Sequence, residues 1–305
     1  MYRFSNPNTQ PGNIRDPFII NVDGVYYLTG SFPPFWEGPV PGIKLFRSTD
    51  LVNWTYVTDI IRRADMPEDC WCIDKLWAPE ILRRPEGFYL TFNGRNQSAE
   101  HPHNHGVAIA FAEKIEGPYR LLTREDSILA DVRHPIMTDP SVMGNDGSLY
   151  EDESGIYLFY SNRYGIWGLP VSLPECKAAG EVFRCVAPSP EGCWDTKIEG
   201  PYVVKRHGKY FLFYSSFTGP YSVGCVTAEN IRGPWSPNPP APLITPPEGG
   251  EITHSGHNVI FEGSDGRLYT CYHMQRRSDP TEYLAIDPIE LMEDGSVSTP
   301  APTLG

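Results

Sequence analysis

The sequence predicts an all-β protein, one five-bladed β-propeller domain over residues 1–305, and three observations carry that expectation. The chain holds 31 prolines and 28 glycines, which interrupt helices, together with 14 Phe, 17 Tyr and 7 Trp, which suit pleated and half-buried surfaces. An aromatic strand following a glycine recurs about every 60 residues: GVYYLTGS from Gly24, GFYLTFNG from Gly87, GIYLFYSN from Gly155, GKYFLFYS from Gly208 and GRLYTCYH from Gly266. Upstream of each stands a small or acidic residue, usually a proline, then an apolar run: DPFII at Asp16, APEIL at Ala78, DPSVM at Asp139, GPYVV at Gly200 and GHNVI at Gly256.

Each pair of segments predicts the inner hairpin of an antiparallel blade, because the first strand begins at its proline and the glycine turns the chain. Outer strands are expected in RSTDLVNWTYV from Arg47, AFAEKIEGPYRLL from Ala110 and VTAENIRGPWSPN from Val226, so the expected blades are four-stranded. The third unit is irregular. Pro140 lies about twice as far from its glycine as the equivalent prolines do, which reads either as an insertion over residues 145–153 or as a strand turn at Gly147. No linker or shift in composition divides the chain.

A formal net charge of −13 argues against nucleic acid as a partner, since phosphate binding draws on Lys and Arg. Neutral sugars are compatible with it. Seven cysteines without a regular framework suggest reduced thiols. The N-terminus shows no secretory pattern and no stretch of about 18 apolar residues occurs, so the expectation is a cytoplasmic protein with no membrane partner, unless a leader was trimmed away. HExxH, GxSxG, P-loop and dinucleotide fingerprints are missing from the sequence.

The repeat brings Asp16, Asp139 and Glu199 toward one axis, with Glu80 near them in another register. Clustered carboxylates repel and push one member to keep its proton at neutral pH, a cost that glycosidic cleavage would justify. An inverting enzyme needs a protonated acid at the leaving oxygen and an ionised base that activates water. An Asp-Pro standing alone would be read as a simple turn.

At these residues the sequence resembles glycoside hydrolase family 43 along essentially its whole length. The matching pieces are Arg15-Asp16-Pro17-Phe18, Leu76-Trp77-Ala78-Pro79-Glu80, Thr138-Asp139-Pro140, Glu199-Gly200-Pro201-Tyr202, and Gly256-His257-Asn258 with Tyr272-His273. The resemblance implies an inverting hydrolase of arabinose- or xylose-containing plant cell-wall glycans, an exo-acting α-L-arabinofuranosidase or β-xylosidase of xylan degradation. It implies Asp16 as general base, Glu199 as general acid and Asp139 as modulator of the acid's pKa. It also makes His273 a candidate axial calcium or water site, although calcium prefers oxygen ligands and no cofactor is required.

Ser31-Phe32-Pro33-Pro34-Phe35-Trp36 resembles the aromatic pocket wall of exo-acting members, making Phe32, Phe35, Trp36 and Trp77 candidates for sugar contact. Arg276 and Arg277 could hydrogen-bond sugar hydroxyls. The 305 residues end too soon for the C-terminal β-sandwich of the large β-xylosidases to be expected among them, Asp152 is a rival to Asp139, and the His101–His105 run is a candidate loop at the active face. Two other readings stand beside this one: a retaining family 32-like fructosidase and a carbohydrate-binding propeller without catalysis. The partner in every case is an oligosaccharide, a polysaccharide or a small glycoside. The choice between xylose and arabinose and the oligomeric state are not encoded in the repeat.

Overall fold

The structure is a computed structural model that describes residues 6–97, 106–122 and 144–304. Five antiparallel blades surround an axis. The first contains β1 (Arg15–Val22), β2 (Val25–Ser31), β3 (Gly42–Ser48) and β4 (Thr55–Arg62), and the second β5 (Lys75–Arg84), β6 (Gly87–Arg95), β7 (Gly106–Ala112) and β8 (Arg120–Leu121). The third contains β9 (Asn145–Asp152), β10 (Gly155–Asn162) and β11 (Gly165–Ser172), with β12 (Lys177–Ala178) and β13 (Phe183–Val186) both paired to β11. The fourth is β14 (Ile198–Arg206), β15 (Lys209–Ser216) and β16 (Ser222–Ala228); the fifth is β17 (Ile252–Glu262), β18 (Leu268–Arg276) and β19 (Glu282–Pro288). A small hairpin, β20 (Glu290–Leu291) with β21 (Val297–Ser298), follows.

The last two blades have three strands where four were expected. After β16 the chain runs through Pro234, Pro237, Pro239, Pro240, Pro242, Pro246 and Pro247, which have no N–H to give a ladder. That segment touches its sheet through single contacts, Ser236 N to Thr227 O at 2.8 Å and a bridge between Val223 and Ile244. In the fifth blade the N-terminal segment takes the outer place, with Asn8 N donating to Leu284 O at 2.6 Å and the Asn6 amide bonding the Ile286 carbonyl and N–H. The two chain ends therefore close the ring together. Buried side chains fill the space between blades: Phe18, Leu90, Phe92, Cys271 and Ile286 share one cluster, while Tyr157, Phe159, Leu212 and Tyr214 share another. Fully burying each such large apolar side chain contributes roughly 1.5–3 kcal/mol.

One local device repeats around the axis. On each inner strand a residue has left-handed backbone geometry: Asp16 (φ 50°), Ala78 (φ 46°), Asp146 (φ 52°), Gly200 (φ 61°) and His257 (φ 51°). The ladder slips there, between Arg15 and Phe18, Trp77 and Glu80, Glu199 and Tyr202, and Gly256 and Val259. Such bulges re-aim a side chain and leave an N–H unpaired. A side chain near the end of the preceding blade's second strand accepts it: His273 Nδ1 for Asp16 (3.2 Å), Ser31 Oγ for Ala78 (2.8 Å), Asn93 Oδ1 for Asp146 (2.7 Å) and Ser215 Oγ for His257 (2.8 Å). For Gly200 the acceptor is the Asp146 carboxylate itself, at 3.0 Å.

This register corrects the reading of the third blade. Its inner strand is β9, so residues 145–152 are the strand itself and not an insertion, and the residue matching Asp16 is Asp146. Asp139 and the His101–His105 run lie outside the described residues. Asp152 sits at the far end of β9, where it accepts from Tyr210 and Ser154 and pairs with Lys205, away from the bulges.

Candidate active site

The bulges define two adjacent rings of side chains. The left-handed position supplies Asp16, Asp146 and His257, and the position before it supplies Arg15, Trp77, Asn145 and Glu199; all seven line one pocket. Ser31, Asn93, Phe35 and Trp36 complete its wall, and the cavity is about 160 Å³. In the fifth blade the position before the bulge is Gly256, where an added Cβ would come within 2.4 Å of the Tyr221 ring. Tyr221 occupies that place and donates its hydroxyl to Glu199 Oε1 at 2.8 Å.

The three carboxylates are held in different electrostatic settings. Burial works to raise the Asp16 carboxyl, but His257, Arg15, His273 and the Ser31 hydroxyl outweigh it and hold it below its ordinary value. His257 Nδ1 stands 3.1 Å from Asp16 Oδ1, and Ser31 Oγ donates to Oδ2 at 2.6 Å. Asp146 is pushed up to about 7 by burial and by the Asp16 charge, against the opposing donors Asn93 and Gly200 N–H. Glu199 is likewise raised to about 7, by burial and then by Asp146, with Tyr221 and His257 opposing. Near neutral pH the pocket thus keeps Asp16 ionised while Asp146 and Glu199 still share protons.

The aromatic wall is braced from below by a residue the sequence reading missed. Lys75 is buried and donates to the carbonyls of Phe35 (3.3 Å), Trp36 (3.0 Å) and Gly38 (2.6 Å), while Trp77 Nε1 donates to Phe35 O at 2.9 Å. Trp36 and Trp77 meet with ring centroids 5.8 Å apart, and Trp36 is 65% exposed. Arg15 was missed too: its guanidinium lies 5.3 Å from the Trp36 ring centroid and is clamped by Glu282 at 3.1 Å. The only sequence signal for Lys75 was a charge two residues before Trp77, at the start of β5.

Phe35, Trp36 and Trp77 line the pocket, but three other candidates are not in its wall. Phe32 is buried against Phe46, with centroids 5.5 Å apart, and belongs to the core. Arg276 lies at the end of β18 opposite Ile252, and the Arg277 side chain is bound to Gly250 O.

His273 reaches the axis for a reason different from metal binding. Accepting the Asp16 N–H on Nδ1 leaves the proton of the neutral ring on Nε2, which faces Glu282 Oε1 at 3.9 Å; burial, together with Arg15, holds the ring's pKa well down. A protonated Nε2 is not a metal ligand, and among the described residues no three His, Cys, Asp or Glu side chains gather to hold an ion. The donor set does not fit a calcium cage.

A propeller whose inner-strand bulges converge acids on one face, beside an aromatic wall, presents a pocket suited to a sugar ring. The sequence profile of the glycosyl hydrolases family 43 matches residues 4–297, and the chain belongs to that family. Among its relatives, a xylosidase/arabinosidase 43B of Humicola insolens is 28% identical over 279 residues, covering 85% of this chain and 47% of its own length. A β-D-galactofuranosidase of Aspergillus niger is 27% identical, covering 88% of this chain and 76% of its own. This chain spans about half the length of the Humicola protein and of a Vibrio xylan 1,3-β-xylosidase. A thermostable family-43 glycoside hydrolase shares the fold with a TM-score of 0.80 at 24% identity over 99% of this chain and 97% of its own, and so does a Lactobacillus brevis α-L-arabinofuranosidase at 0.74 and 19%, over 93% of each.

Proposed function

We propose that this protein is an inverting glycoside hydrolase that removes single arabinose or xylose units from the non-reducing ends of plant cell-wall glycans or oligosaccharides. The observation that carries the reading is the pairing, in one pocket, of an Asp16 held ionised with a Glu199 held protonated up to about pH 7. In the reaction Asp16 takes a proton from water as its oxygen attacks the anomeric carbon, and Glu199 gives its proton to the departing glycosidic oxygen. Asp146 takes the place that Asp139 held in the sequence reading. It lies against Glu199 through the Gly200 N–H and keeps the acid's pKa high.

A pocket of about 160 Å³, closed on one side by Phe35, Trp36 and Trp77, supports exo action on one sugar ring. Relatives named for xylosidase, arabinosidase and galactofuranosidase activity support a small pyranose or furanose sugar. A purely sugar-binding propeller would gain nothing from buried, mutually repelling acids, and so is disfavoured.

The test is turnover of aryl β-xylosides and aryl α-L-arabinofuranosides, with the anomer of the released sugar followed by proton NMR. Inversion is expected in the wild type, and Asp16→Asn and Glu199→Gln are each expected to lower kcat by about 10²–10⁴. A retained anomer, or wild-type protein that binds sugar while being as inert as both variants, overturns the reading.

A further inference from the structure

A second cavity, of about 430 Å³, adjoins the catalytic pocket and shares Asn145 and Glu199 with it. Resting on Glu199 as the acid, its position has a chemical meaning: the group that Glu199 protonates must leave on the Glu199 side. The pentose pocket therefore continues, past the scissile oxygen, into this space. Phe217 lies in its wall and is 48% exposed, leaving an aromatic face open to the cavity. Asn162 and Thr196 add polar groups suited to hydroxyls.

Its charge is opposite to that of the rest of the molecule. Arg163 and Lys197 both line it, in a chain of net charge −13. Lys197 stands two residues before Glu199, just ahead of β14, with its N–H on Thr218 Oγ1 at 2.9 Å and its carbonyl accepting from Phe217 N at 3.2 Å, and it lines the same cavity as Glu199 and Phe217. Lys197 is exposed, and among the described residues its ammonium has no carboxylate partner, unlike Lys205 or Arg15.

We propose that this cavity is a leaving-group subsite selective for a sugar that carries a carboxylate, a uronic acid, with the ring laid on Phe217 and the carboxylate paired to Lys197. An aromatic face, hydroxyl-binding groups and a cation in one cavity with the acid that protonates the scissile oxygen are the features such a sugar requires.

The experiment compares kcat/KM for two aryl pentosides that differ only in a remote group, 4-(carboxymethyl)phenyl against 4-(carbamoylmethyl)phenyl, at low and at 0.5 M salt. The methylene keeps the leaving-group chemistry nearly equal. Wild type is expected to favour the anion roughly three- to fivefold at low salt, the size of an exposed ion pair, and to lose most of that in salt. Lys197→Met is expected to bring the ratio near one, Lys197→Glu to reverse it and Lys197→Arg to keep it. Turnover of both glycosides with a ratio near one in wild type, or a preference that survives in Lys197→Met, overturns the subsite while leaving the catalytic reading intact. Failure to cleave either glycoside overturns the catalytic reading, and this inference with it.

Discussion

The Tyr221 hydroxyl donates to Glu199 Oε1 at 2.8 Å while its ring stacks on His273 with centroids 5.1 Å apart. The bond favours the ionised form of Glu199 and so opposes the burial that raises it. Tyr221→Phe keeps the ring and deletes the donor. The pKa of Glu199 then rises, and because a general acid loses activity as pH climbs through its pKa, the basic limb of the kcat/KM profile should move up by roughly half to one pH unit. An unmoved basic limb would detach Tyr221 from the acid.

Asp146 and Asp139 offer rival assignments for the third carboxylate, and kinetics separates them. Asp146 is buried, bonded to Asn93 at 2.6 Å and to the Gly200 N–H. Asp146→Asn should lower kcat/KM by about 10²–10³ and move the basic limb downward, since Glu199 loses the neighbouring charge that helps to raise it. Asp139→Asn should stay within a few fold. The reverse ranking would restore the assignment made from the DPSVM motif.

The repeat was legible because inner hairpins carry strong local signals, glycine turns and aromatic strands, and blade order follows chain order. Asp16 and Glu199 were legible for the same reason. Asp146 was hidden because the third bulge has Asp146-Gly147 where the first has Asp16-Pro17, and a complete Asp-Pro stands a few residues upstream as a decoy. What decides the register is backbone geometry, the φ of 52° at Asp146 and its capture by Asn93, neither of which is written in residue type. Lys75 was hidden for a related reason: its partners are three carbonyls of a loop about 40 residues away, and carbonyls have no sequence. The missing outer strand of blade four was in principle readable from its prolines.

The Lys75 contacts predict how the aromatic wall responds to the core beneath it. Lys75→Met fills similar space but leaves the Trp36 and Gly38 carbonyls without this donor and Phe35 O with Trp77 Nε1 alone, a cost of roughly 1–3 kcal/mol for each unpaired group that water does not reach. Loosening that loop displaces Trp36 from Trp77 and Arg15 without touching an acid. The expected signature is a KM raised about tenfold with kcat lowered much less. Equal losses in the two parameters would mean that the loop does more than hold the sugar.

Glu80 makes the case for a pH-dependent stability. It is buried beside the axial cavity opposite the active face, and burial, followed by the Asp146 charge, raises its pKa to about 8 against the opposing hydrogen bond of Ser148. A carboxyl whose folded pKa lies above its ordinary value binds more protons folded than unfolded, so stability is greatest below about 4.5 and declines as pH rises toward 8. Glu80→Gln keeps shape and hydrogen-bonding capacity without titrating. Relative to wild type it should melt at nearly the same temperature at pH 5 and several degrees higher at pH 9, where ionising Glu80 costs the wild type roughly 2–5 kcal/mol. Some decline remains in the variant, because Asp146 and Glu199 are raised in the same sense. Thermal melts of both proteins from pH 5 to 9 check this; parallel curves across the range would show that Glu80 is not the neutral, buried acid described here.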